Sequence, residues 1–321
     1  MATYTTLDQL DLFAVRDSYA LGPFQAREIV GGDVNSSFRL RCEDGAEYTL
    51  TIVENRKPGK AITVASHTRT LSTLGIPTTE VVPDRNGDLA PDVGGRKLIL
   101  KRWIHGTVYD VLPQRLLEAA GAFLGGLHST VPLEALDPPA VQGARRLSAA
   151  DVASLDGAGD AGFVDWLKSG VADGGESAAR GACVVCHGDL FPDNIIERPD
   201  GSLVVIDWET LSLDDPLFDV GMAVVGLTPR AADGRIDPGR LAPLLSGYAR
   251  VRPSVIGELA RLPGFIKAAA AEIGFHRYHR YLAHPMPGSR SAAYLDMVDC
   301  ADSATDEGVR AVLRDHAQRL A

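Results

Sequence analysis

Little in this chain suits a disulfide scaffold, a base-stacking surface or a bilayer. Four cysteines (Cys42, Cys183, Cys186 and Cys300) among 321 residues are too few for a disulfide framework and fit a reducing compartment. Aromatic residues make up only 6%, thin material for stacking on nucleic-acid bases. Basic side chains are the minority, 32 against 42 acidic, for a net charge of −10. That balance argues against general attraction to nucleic acid or to an anionic membrane. No run approaches the roughly 18 continuous apolar residues of a membrane span. The first twenty residues mix polar and apolar side chains without a cleavage signal. The expected setting is therefore the cytoplasm, with neither nucleic acid nor membrane as partner.

What the chain does have is core-forming material. Hydrophobic residues reach 45% and charged residues 23%, enough for one large domain or two packed lobes. The charge is uneven: residues 1–104 carry 13 acidic and 13 basic side chains, so the entire −10 lies in residues 105–321. After a helix expected over Leu7–Tyr19, strand-like runs at Ala26–Val30, Ser37–Cys42 and Tyr48–Val53 alternate with the turns Gly31-Gly32-Asp33 and Glu43-Asp44-Gly45. A helix over Ala61–Leu74 ends at Gly75 and Pro77, and strands near Thr79–Pro83 and Lys97–Trp103 flank Asn86-Gly87. From Pro113 onward the pattern is helical, over Gln114–His128, Ala161–Val171, Pro238–Ala249, Ser254–Tyr281 and Ala292–Ala321. Val184–Cys186 and Leu203–Ile206 are the only β-like runs expected in that half. The expected class is α+β: an antiparallel sheet lobe with one helix over 1–104, then a larger, mainly helical lobe over 105–321.

The densest chemistry lies in Cys186-His187-Gly188-Asp189-Leu190-Phe191-Pro192-Asp193-Asn194, followed by Val205-Ile206-Asp207-Trp208-Glu209. Phosphoryl transfer needs a carboxylate beside the attacking hydroxyl. It also needs an amide oxygen and a second carboxylate to hold the magnesium that neutralises a polyphosphate. Asp189 and Asn194, five apart across a proline-containing loop, can face one cavity, with Asp207 entering from the end of a buried strand. Any one of these aspartates alone would be an ordinary polar loop residue; three matched residues at this spacing are not.

The stretch resembles the catalytic motif of the aminoglycoside phosphotransferase and choline kinase-like superfamily, distant relatives of protein kinases. Leu213-Asp214-Asp215-Pro216-Leu217-Phe218-Asp219-Val220 continues the pattern. Tyr19-Ala20-Leu21-Gly22, Gly31 to Phe38 and Tyr48 to Glu54 are similar to the start of its homoserine kinase-like branch. The likeness spans roughly residues 15–230. It implies a bilobal protein-kinase-like fold using ATP and Mg2+, with Asp189 as catalytic base and Asn194 and Asp207 as magnesium ligands. His187 and Asp219 would brace the loop, and Glu209 would be an outer metal or substrate contact. Gly31, Gly32, Asn35, Ser36 and Ser37 would form the loop over the phosphates, and Leu98–Trp103, leading into His105-Gly106, would offer its backbone to adenine, although Trp103 also suits a plain core position. The acceptor implied is a small molecule with a hydroxyl, homoserine or an amino alcohol first. An aminoglycoside or other antibiotic is the alternative favoured by the acidic second lobe, and a non-catalytic nucleotide-binding protein is the third. A protein kinase is disfavoured by the short segment between Asp207 and Asp219.

Two features depart from the superfamily's pattern. Its lysine on the strand after the phosphate loop is replaced by Thr51, and Ala61–Leu74 contains no acidic residue to pair with such a lysine. Arg39, Arg41, Arg56, Lys57 and Lys60 are the candidate replacements. Elsewhere, Cys183-Val184-Val185-Cys186-His187 matches a haem-attachment spacing but is expected to be two cysteines packing a strand. His276, His279 and His284 have poor zinc geometry with no Cys, Asp or Glu beside them. Their helix is expected to be either a solvated face or a substrate-facing one, in which Arg277 or Arg280 would anchor a carboxylate. Trp166 is expected in the core, and Asp299, Asp302 and Asp306 on a solvated face.

Overall fold

A computed structural model describes residues 5–29, 35–54, 59–157, 159–177, 183–283 and 293–318. In chain order the elements are α1 (Leu12–Ser18), β1 (Phe24–Glu28), β2 (Ser36–Cys42), β3 (Glu47–Ile52), α2 (Lys60–Thr73), β4 (Val81–Val82), β5 (Asp92–Val93), β6 (Arg96–Arg102), α3 (Gln114–Thr130), α4 (Ala149–Ala153) and α5 (Ala161–Ser177). There follow β7 (Val184–Cys186), β8 (Ile195–Glu197), β9 (Leu203–Val205), β10 (Ser212–Asp214), α6 (Pro216–Leu227), α7 (Pro238–Val251), α8 (Leu262–Ala283), α9 (Asp296–Ser303) and α10 (Glu307–Gln318). The chain divides into two compact units. The first comprises residues 1–107, 134–139 and 196–209; the second comprises 108–133, 140–195 and 210–321.

The first unit is built on an antiparallel sheet ordered β1-β2-β3-β6-β4, with β5 paired to β6. Strict alternation sorts its side chains. Phe38, Leu40, Leu50, Ile52, Leu98 and Leu100 turn to one face and form a core with Val15 of α1 and Tyr19. The opposite face packs Ile99 and Val81 on Ala61 and Ala65 of α2. On that second face Thr51 stands opposite Ser37 and Ile99, and Thr49 opposite Arg39 and Lys101, so β2 and β3 give it a polar part beside the apolar patch around Ile99. The β8–β9 hairpin completes the unit: Thr107 and Glu197 exchange backbone hydrogen bonds at 2.9 and 3.0 Å. Gly106 has no room for a Cβ, which would strike the Glu197 carbonyl.

The second unit is helical around α6, a helix apolar on all sides and buried from Pro216 to Val225. Helices α3 and α7 cross closely because Gly121 and Gly247 each lie against the other helix's backbone, where a Cβ would collide with a carbonyl. Strands β7 and β10 pair antiparallel beside them.

Two expectations are corrected. The segment Leu7–Tyr19 is not one helix: a 3-10 turn covers Leu7–Gln9, and Asp11 then caps α1 by accepting from the Phe13 and Ala14 amides, both at 3.0 Å. Strand β5, two residues paired to β6, was not expected, and neither were strands β8 and β10. At three residues each they are too short to show an alternation, and they exist because β9 and β7 supply their hydrogen bonds. Among the described residues no helix is long and apolar enough to cross a membrane.

Candidate active site

In the second unit the loop after β7 is fixed from below by one carboxylate. Asp219, fully buried on α6, accepts from the His187 amide at 2.8 Å, the Gly188 amide at 2.8 Å and His128 Nε2 at 3.0 Å. Burial opposes its charge, but the hydrogen bond and charge of His128, the charge of His187 and the Gly188 amide outweigh it and hold its pKa below the usual carboxylate value. His128 in turn meets the Tyr248 hydroxyl at 2.9 Å. Gly188 adopts φ +78°, and a Cβ there would lie 2.8 Å from the Thr210 carbonyl oxygen, so the turn that presents Asp189 requires glycine.

The loop closes on itself one turn later. Phe191 begins a 3-10 turn over Pro192–Asn194, and the buried Asn194 donates its Nδ2 to the Asp189 carbonyl at 2.8 Å. Asp189 and Asn194 are thus brought together. The Asp189 side chain is about one-third exposed, 3.9 Å from Arg145 Nη2. Arg145 also bonds the Gly188 carbonyl (3.2 Å) and the nearly buried Glu272 (3.1 Å). His276 accompanies Glu272 at 2.9 Å. The expectation that no acidic residue lies beside the histidines is therefore corrected. Glu272 sits one helical turn before His276, and the Arg145 charge allows a carboxylate to be buried there. His284 lies outside the described residues. Arg145 and Glu272 gave no sequence signal, being far apart in the chain and part of no motif.

The first unit carries the other motif block. Asp207 follows β9 with φ +65°, the left-handed region that costs an ordinary residue roughly 1–2 kcal/mol. Such strain is characteristic of functional positions. Its carboxylate is exposed and accepts the Glu209 amide at 3.3 Å, while Trp208 beside it is buried and donates Nε1 to Thr78 Oγ1 at 2.8 Å. Glu209 accepts a short hydrogen bond from Asn35 Nδ2 and pairs with Lys60 at 3.3 Å. With no acidic residue of its own, α2 therefore contributes the cation, and Glu209 the anion, of the pair that ties them. Ser36 donates to Glu54 at 2.7 Å, and Ser37 faces Thr51 across the sheet. Gly31, Gly32, Arg56 and Lys57 lie outside the described residues. Arg39 and Arg41 both pair with Glu47, at 2.7 and 2.5 Å, and Arg39 stacks on the half-buried Trp103 at 4.2 Å.

The second unit also holds a cavity of about 490 Å³ lined by Phe191 and Pro192 of the loop and by charges of both signs, among them Asp110, Arg230, Asp296 and Arg277. Burial lowers the Arg277 pKa while Asp296 works the other way. Arg277 Nη1 donates to the Ala293 carbonyl at 3.1 Å. Arg280, in contrast, is exposed on the same helix, and Asp299, exposed as expected of a solvated face, also joins the cavity lining. Cys183 and Cys186 are not bridged, and Cys186 is buried in β7 as expected of a packing residue.

The sequence model of the phosphotransferase enzyme family (APH) matches residues 25–254. The chain belongs to this family. Among curated relatives, the homoserine kinase of Beijerinckia indica is 27% identical over 301 residues, covering 89% of this chain and 90% of the relative. That of Gluconacetobacter diazotrophicus is 28% identical over 299 residues, with the same coverages of 89% and 90%. Among solved structures, amicoumacin kinase hAmiN in complex with AMP-PNP, Ca2+ and Ami superposes with a TM-score of 0.68 at 15% identity, covering 98% of this chain and 94% of that one. A choline/ethanolamine kinase family protein from Mesorhizobium loti gives 0.60 at 18% identity, covering 96% and 98%. These neighbours establish the protein-kinase-like α+β fold of this phosphotransferase. Its family and curated relatives make it an ATP-dependent kinase acting on a hydroxyl of a small molecule.

Proposed function

We propose that this phosphotransferase transfers the γ-phosphoryl group of ATP to the side-chain hydroxyl of homoserine, with magnesium as the metal. The observation that carries the acceptor is the near-complete alignment to homoserine kinases, about nine-tenths of both chains. The cavity beside Phe191 supports it, since a zwitterion needs a cation and an anion, and Arg277 and Asp296 offer one of each. Arg277 suits the carboxylate because a guanidinium binds it through two parallel hydrogen bonds.

The donor set fits a hard, oxygen-seeking cation. The Asn194 amide nitrogen is committed to the Asp189 carbonyl, so its oxygen is the end left to face a metal. Asp207 presents an exposed carboxylate on a strained backbone. These two residues would hold magnesium, which supplies charge neutralisation when bound with ATP. Glu209, with Asn35 and Lys60, would keep the Asp207 segment in place, and Ser36, Ser37 and Trp103 would border the nucleotide. Asp189 receives the proton of the acceptor hydroxyl, and His187, Asp219 and Arg145 hold its loop in one geometry. Rate enhancement then comes mainly from positioning and electrostatics.

The test is ADP release against homoserine, choline and a panel of aminoglycosides, with Asp189→Asn as control. Homoserine is expected to stimulate release. Asp189→Asn should keep ATP binding and lose about 10²–10⁴-fold in turnover, the usual contribution of a general base. Stimulation only by an aminoglycoside would transfer the acceptor site to antibiotics, and full turnover by the variant would remove Asp189 from the base role.

A further inference from the structure

The departure at Thr51 leaves the phosphotransferase reading without a cation for the nucleotide's phosphates. Thr51 is 6% exposed, and its hydroxyl has no hydrogen-bond partner. An orphaned buried hydroxyl on this face of the sheet calls for a partner, and a bound polar ligand is one that would supply it. The strand register supplies the missing charge from next door. Thr51 stands opposite Ile99 and Thr49 opposite Lys101, so Lys101 is the diagonal neighbour of Thr51 on the same face. Diagonal positions lie roughly 7–8 Å apart, within the span of a long side chain. A lysine at 101 therefore delivers its ammonium to the region that a lysine at 51 would serve.

The Asp207 segment is tied beside the same strand. Val205 donates to the Pro77 carbonyl at 2.9 Å and Trp208 to Thr78 at 2.8 Å. The chain from Pro77 runs on into β4, where Val81 stands opposite Lys101. Desolvation lowers the pKa of the Lys101 ammonium, with Asp207 and then Glu209 as the charges that offset it. Among the described residues that ammonium donates no hydrogen bond. The described cations weighed from the sequence are committed elsewhere: Arg39 and Arg41 to Glu47, Lys60 to Glu209.

We infer that Lys101 is the phosphate-binding cation of this kinase, reaching from β6 to replace the lysine that the superfamily places on β3. The inference rests on the ATP-dependent reading of the site and adds a residue that reading does not contain. Lys60 becomes the structural partner of Glu209, and the divided labour explains why α2 needs no acidic residue.

Two measurements test it. An acyl-phosphate derivative of ATP acylates an amine lying against the phosphates: the amine attacks the acyl carbonyl, an amide forms, and ATP leaves. Peptide mapping of the labelled wild-type protein should find the acyl group on Lys101. Label on Lys60 or Lys57 with none on Lys101 overturns the inference without requiring any variant to fold. Second, Lys101→Met should weaken ATP binding about ten- to hundredfold, the loss of a charge-assisted contact. It should leave adenosine binding unchanged, and Lys101→Arg should restore part of the loss. Equal weakening of ATP and adenosine would mean a merely structural lysine. A wild-type protein that binds adenosine and ATP equally would remove the need for any phosphate cation. One that binds neither would overturn the ATP reading itself, which separates the two failures.

Discussion

Replacing Asp219 by asparagine changes one oxygen to an amide group and nothing in volume, so its effect isolates hydrogen bonding. The carboxylate accepts one bond on Oδ1, from Gly188, and two on Oδ2, from His187 and His128. Asparagine has a single oxygen. Its cheaper orientation keeps the two bonds at the Oδ2 position and turns its NH2 toward the Gly188 amide, donor against donor. A hydrogen bond to a charged group contributes about 1.5–3 kcal/mol, and an orphaned buried donor costs about 1–3 kcal/mol, partly offset by no longer burying a charge. The expected loss is about 2–4 kcal/mol, measurable by urea denaturation as a lowered midpoint with unchanged slope. Because the orphaned amide belongs to the residue before Asp189, turnover should fall at least tenfold while adenosine still binds. The pH dependence has a defined sign. The folded-state pKa of Asp219 is depressed, so its contribution is complete above its unfolded value, about 3.9, and is lost as pH falls through the lower folded value. The stability gap between wild type and variant should close below about pH 4. A variant within 0.5 kcal/mol (about the size of an ordinary surface change) at neutral pH and fully active would refute the bracing argument.

Three further outcomes follow from the same geometry. Gly188→Ala places a Cβ against the Thr210 carbonyl in a left-handed backbone. It should cost about 2–4 kcal/mol from backbone strain plus overpacking, with activity lost at temperatures where the fold survives; a neutral effect in thermal melts would contradict the φ assignment. Arg145→Ala strips Glu272 of its fixed positive partner and should cost about 3 kcal/mol, most of which Glu272→Ala in the same chain recovers; additive losses in the double-variant cycle would show that the two are not coupled. Burial raises the thiol pKa of Cys42, raises that of Cys186 well above its usual value and pushes Cys300 up to about 12. Only Cys183, half-buried, should react promptly with a thiol reagent in the native state, so the rapid phase should be one equivalent until denaturant is added.

The order of strands and helices was legible from turn residues and apolar spacing, because those signals are local. The motif from His187 to Asn194, with Asp207 and Asp219 downstream, announced phosphoryl transfer because each residue type has few other reasons to occur at that spacing. The ends of elements were less legible. Asp11 splits an apparently continuous helix because its side chain prefers to cap, and β8 and β10 exist only through partners far along the chain. What tertiary structure alone decided is which charges meet. Nothing near position 101 or 145 marks it as functional, since a lysine in a strand and an arginine in a connecting loop are ordinary until the sheet register sets one diagonal to Thr51 and the fold sets the other beside Gly188 and Glu272. Charge pairing depends on distance through space and on desolvation, and neither quantity is written in local sequence.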